Sequence, residues 1–70
     1  MSDYVVIYEQ AHDGGWGAYL PDLPGVVALG ATQPEVAGRI QEALAAYRDD
    51  LRLQGRSLPA PHHAAGTIAA

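Results

Sequence analysis

Pro21-Asp22-Leu23-Pro24-Gly25-Val26-Val27-Ala28-Leu29-Gly30-Ala31-Thr32-Gln33-Pro34-Glu35 packs a turn, a strand and a helix start into one continuous stretch. Two prolines hold φ near about −65°, and Gly25 follows Pro24 where a type II turn needs a positive φ. Leu23, between the prolines, tucks into the edge of the core. Val26 to Ala31 then reads as an apolar strand, and Gly30 near its end marks a bulge or a close approach of another backbone. Thr32 suits an N-cap whose hydroxyl accepts from the Glu35 N–H. Glu35 can reach back, which makes Thr32-Gln33-Pro34-Glu35 a capping box. Pro34 loses nothing in the first helical turn, because its missing N–H would have no partner there.

On the N-terminal side, Tyr4-Val5-Val6-Ile7-Tyr8-Glu9-Gln10 is β-branched and aromatic, as a strand prefers. Tyr4, Val6 and Tyr8 fall on one face and Val5, Ile7 and Glu9 on the other. Ala11-His12-Asp13-Gly14-Gly15 is a hairpin turn in which glycine permits positive φ. Trp16-Gly17-Ala18-Tyr19-Leu20 is a second, antiparallel strand, stopped by Pro21. With the strand from Val26 this makes a three-stranded antiparallel meander.

On the C-terminal side one long helix is expected from Gln33 to Gln54. Val36, Ile40, Leu44, Tyr47 and Leu51 recur at helical spacing, and Ala37 and Ala43 widen the stripe. Gly55 stands at the usual C′ position, and Arg48, Arg52 and Arg56 complement the negative end of the helix dipole. Pro59 and Pro61 keep Leu58-Pro59-Ala60-Pro61 extended, with Leu58 as an anchor on the core. Gly66-Thr67-Ile68-Ala69 reads either as a short fourth edge strand (β-β-β-α-β) or as part of a tail. The fold class is therefore α+β: a meander with a helix on one face, residues 1–61 forming the domain and 62–70 the tail or edge strand.

A chain of 70 residues buries too little surface to be robust alone, and without cysteine it has no disulfide staple. Association with further copies is expected. At 49% hydrophobic and 17% charged, the composition is that of an ordered chain. A net charge of −4, with four arginines and no lysine, argues against a nucleic-acid binder and suits a basic partner or simple solubility. Met1-Ser2-Asp3 runs straight into a strand pattern without a leader, and no stretch approaches the roughly 18 apolar residues of a membrane span. The expected location is cytoplasmic.

No residue set stands out for catalysis. Asp13 and Asp22 lie in turns, Glu35 caps a helix, and Glu42, Asp49 and Asp50 suit a solvated helix face, so only Glu9 is in mid-sheet. A two-metal nuclease needs several carboxylates converging. His62 and His63 are adjacent, and adjacent side chains of an extended segment point apart, so they chelate poorly unless a third ligand folds over them. His12 is in a solvated turn. Ser2 and Ser57, the only serines, build no Ser-His-Asp triad. Gly14-Gly15-Trp16-Gly17 precedes no helix and cradles no phosphate. The expectation is no catalytic residue, no cofactor and no metal. Trp16 reads as core or self-association surface. Tyr4, Val6, Tyr8 and Trp16 are the residues expected around that surface, and the outer sheet face or a free strand edge is the expected contact region.

In order, these pieces resemble the HicB antitoxin family. They are the strand Tyr4 to Glu9, the Gly-Gly turn, Pro21-Asp22-Leu23-Pro24-Gly25, and Gly30-Ala31-Thr32 leading into a helix with Glu35 and Ala37. Glu42-Ala43-Leu44 with Tyr47, and Gly55 before Leu58-Pro59-Ala60-Pro61, complete the set. The resemblance covers about residues 4 to 61. It implies a degenerate, partial RNase H-like fold without nuclease activity. It also implies a HicA-type partner, a small basic mRNA-cleaving toxin neutralised by occlusion, and assembly into dimers or tetramers. Val26 stands where the family often has cysteine. Many members carry a C-terminal DNA-binding domain for which this chain has no room, so a short form without direct DNA binding is expected. The alternatives are a structural oligomer or small-ligand carrier with no toxin, and a metal-dependent nuclease.

Overall fold

The computed structural model describes residues 3–70; Met1 and Ser2, on which the expectation of no leader and one of the two serines fall, lie outside them. Three strands, β1 (Ile7–Gln10), β2 (Trp16–Tyr19) and β3 (Val27–Gly30), precede one helix, α1 (Gln33–Leu53). The sheet order is β1-β2-β3 with both pairings antiparallel, which is the expected meander. Its register sets Ile7 opposite Tyr19 and Tyr19 opposite Val27, and sets Tyr8, Ala18 and Ala28 in the adjacent row.

The first strand is shorter than the side chains of residues 4–10 suggest. Tyr19, the partner of Ile7, is the last residue of β2. Continuing that register would set Val5 opposite Pro21, which has no N–H to give, and Tyr4 to Val6 lie outside the ladder.

The proline turn forms as its chemistry predicts. The Val26 N–H donates to the Leu23 carbonyl at 3.1 Å across Pro24 and Gly25, and Gly25 has φ +96°. The helix start differs in one detail. Thr32 Oγ1 accepts from the Glu35 N–H at 3.2 Å, but the Glu35 carboxylate accepts from the Ala31 N–H, also at 3.2 Å, one residue before the cap. At the other end the Gly55 N–H reaches the Arg52 carbonyl and the Arg56 N–H the Leu51 carbonyl, with Gly55 at φ +72°. This is a Schellman motif, which satisfies carbonyls the helix end leaves free.

The core lies between the sheet and α1: Ala18, Leu20, Leu23 and Val26 from the sheet side meet Val36 and Ile40 from the helix. Even-numbered strand residues therefore face the helix. Leu44, Tyr47, Ala43 and Leu58 pack partly against this cluster. Gly30 shows why β3 ends in glycine: a Cβ there would lie 3.1 Å from the Val36 N. The close approach is to the helix, and no bulge is needed.

The fourth strand does not form; residues 56–70 contain no strand. Pro59 and Pro61, ahead of residues 66–69, keep the segment leading to them out of any ladder. The segment is held by single contacts instead: the Tyr4 hydroxyl donates to the Pro59 carbonyl, and Leu58 packs on the core. Ile68, which would have to be buried by an edge strand, is exposed.

Candidate functional site

Two features stand out beyond the core. The first is the sheet face that α1 does not cover. Strand alternation sends Ile7, Glu9, Gly17, Tyr19, Val27 and Leu29 to this side, opposite Ala18. Ile7, Tyr19 and Val27 form one row across all three strands, and Glu9, Gly17 and Leu29 the next. Val27 is 62% and Leu29 75% exposed. Gly17 leaves a dip in the middle strand, and its Cβ position lies 3.4 Å from the Leu29 side chain. At the hairpin end a groove of about 420 Å³ opens between Trp16, Gly17 and Leu29, with Glu9 and Asp13 on its wall. An apolar surface rimmed by carboxylates can bind a partner that is apolar and basic.

The edges of this sheet are not equivalent. Arg39, one helical turn beyond Glu35, pairs with its carboxylate at 2.7 Å and donates from Nη1 to the Leu29 carbonyl at 2.7 Å. The β3 edge therefore has an acceptor already engaged by its own helix.

The second feature is Asp22. Its side chain is 1% exposed, although it sits in a surface turn, because the C-terminal segment folds over it. His62 Nδ1 lies 2.7 Å and His63 Nδ1 2.6 Å from Asp22 Oδ1. The His62 main-chain N–H donates to the same oxygen at 3.2 Å. Oδ2 is buried and has no hydrogen-bond partner among the described residues. Burial pushes the Asp22 carboxyl up, but the His63 ring, the His62 N–H and the charge of both imidazoles hold it below the usual carboxylate range.

Tyr4, Val6, Tyr8 and Trp16 share the helix-side face and pack, partly buried, against the core. The structure groups them as alternation predicts, but on the face turned toward α1. Both parities of the first strand are apolar, so that strand could not say which faces the helix. The sequence signal lies in the second strand, where the even positions Trp16, Ala18 and Leu20 are uniformly apolar and the odd ones include Gly17. His12 is exposed in its turn. Glu9 is exposed on β1. Among the described residues, the group of three or more His, Cys, Asp or Glu able to converge on one ion is Asp22, His62 and His63. The sequence reading of those histidines lacked a third ligand, and Asp22, forty residues earlier (|i−j| = 40 to His62), gives no local sign that it is one.

Residues 4–70 match the family model described as the HicB-like antitoxin of bacterial toxin-antitoxin systems. The UPF0150 protein Ta0767 of Thermoplasma acidophilum is 34% identical over 56 residues, which span 80% of this chain and 81% of that protein. No solved structure matches the chain.

Proposed function

Since the chain belongs to the HicB-like antitoxin family, we propose that it is the antitoxin of a type II toxin–antitoxin pair and acts by binding, not by catalysis. Its partner is a HicA-type toxin, a small basic protein that cleaves mRNA, and neutralisation works by covering the toxin's active site. The family match over residues 4–70 carries this reading. The acidic charge of −4 supports it, since opposite net charges speed encounter.

The contact surface we propose is the uncovered sheet face around Tyr19, Val27 and Leu29, together with the groove beside Glu9 and Asp13. Apolar side chains there would be buried by the toxin or by a second copy, and the two carboxylates would meet basic residues at the rim. The protein works where mRNA is translated, in the cytoplasm.

The test is co-expression with the small basic protein encoded beside it, followed by co-purification and a growth assay. The toxin alone is expected to arrest growth, and the pair to grow and to purify as a complex. Leu29→Glu is expected to break the complex without unfolding the chain. If no neighbouring product is toxic, or if toxicity persists despite a folded, abundant chain, the antitoxin reading fails.

A further inference from the structure

We propose that Asp22, His62 and His63 form a binding site for one divalent transition-metal ion of the zinc class, which clasps the C-terminal segment onto the Pro21–Gly25 turn. This inference rests on the cluster alone and is independent of the toxin-binding reading. The donor set is one carboxylate oxygen and two imidazole nitrogens, a combination that zinc takes with a fourth position left for water. The donor atoms lie within 4.8 Å of one another. Adjacent histidines usually diverge, yet here both present Nδ1 to the same oxygen, with ring centroids 4.6 Å apart.

The carboxylate gives the strongest argument. Its side chain is 1% exposed, and Oδ2 is buried without a donor. A buried anion is costly unless a cation or several hydrogen bonds meet it. Without metal, Oδ1 meets two imidazole nitrogens and one main-chain N–H, while Oδ2 has no partner among the described residues. A dication at this point compensates the charge that those contacts only partly offset.

The present N···O spacings of 2.6 and 2.7 Å are those of hydrogen bonds. Tetrahedral ligands at zinc bond lengths sit about 3.3 Å apart. Binding therefore needs each ring to recede by about 0.6 Å and to give up the Nδ1 proton, carrying its hydrogen on Nε2 so that the Nδ1 lone pair is free. Residues 62–70 belong to no strand or helix, so the main chain can follow. The His62 and His63 side chains are 73% and 46% exposed, which leaves an approach for the ion and for its water.

The experiment uses the untagged full chain, stripped with chelator, and reads calorimetric titration with ZnCl₂, thermal melting, and the visible spectrum with CoCl₂. One Zn²⁺ per chain is expected, with melting raised by about 10–20 °C at a hundredfold excess over Kd. Cobalt is expected to give the intense bands of a four-coordinate ion. His62→Gln and His63→Gln should each weaken binding at least about tenfold, and the double variant should abolish it. Both side chains are exposed, and metal-free melting confirms that each variant folds. His12→Gln should leave binding unchanged. Absence of saturable binding, retention of it in the folded double variant, or its loss in His12→Gln would overturn the proposal.

Discussion

A methyl group on Gly30 would stand 3.1 Å from the Val36 N and 3.3 Å from the Val36 Cβ, where neither backbone nor a fully buried side chain can yield. Gly30→Ala is expected to destabilise the fold by about 1–3 kcal/mol, read as a fall in the urea midpoint at constant slope. Gly25 has open space around its Cβ position but a φ of +96°, so Gly25→Ala meets backbone strain alone, about 1–2 kcal/mol. Comparing the two variants separates contact from conformation. Thr32→Ala removes one cap and should cost about 1 kcal/mol in the same assay. These positions were legible in the sequence because their roles are local: Pro24-Gly25 and Thr32 with Glu35 act within four residues. Asp22 was not, since its partners lie forty and forty-one residues away (|i−j| = 40 and 41) and nothing in a turn aspartate announces them.

At the scale of elements, the sheet has one face closed by α1 and one open, and substitutions on the two should behave in opposite ways. Trp16 packs against the core on the helix side. Trp16→Ala should lower stability by about 2 kcal/mol or more at any protein concentration. Leu29, 75% exposed on the other side, touches no buried cluster. Leu29→Glu should leave the stability of the dilute chain within about 0.5 kcal/mol while reducing association, measured by light scattering beside chemical unfolding. If Leu29→Glu unfolds the dilute chain, or Trp16→Ala spares it, the faces are misassigned. Element type and order could be read from period and punctuation: strands between turns, and a helix between Thr32 and Gly55. Which strand face met the helix could not be read from Tyr4 to Gln10, because alternation fixes two sets of residues and not their direction. The fourth strand failed for a related reason. Gly66 to Ala69 has strand-like residues, but Pro59 and Pro61 and the contacts to Asp22 and Tyr4 hold the approach to it away from any ladder.

The molecule as a whole is extended for its length. Its radius of gyration is 13.4 Å over 42 × 27 × 18 Å, against about 11 Å for a compact chain of this size. The helix of 21 residues outruns strands of 4, and its last turn carries Leu53 into solvent. Among the described residues seven apolar side chains are buried, only Val36, Ile40 and Leu51 of them on the helix, which is slight support for such a shape. The open face carries Tyr19, Val27 and Leu29, the side chains a second layer would bury. Folding and association should therefore be linked, with part of the native stability residing between copies. The expected sign is a melting temperature that rises with protein concentration, by about 5 °C or more across a hundredfold range. Leu29→Glu should flatten that dependence and leave the melting temperature at the dilute limit nearly unchanged. Trp16→Ala should lower the curve at every concentration and keep its slope. A wild-type chain that melts at one temperature across the whole range, and runs as a monomer throughout, would show that the open face is held for another partner and not for a second copy.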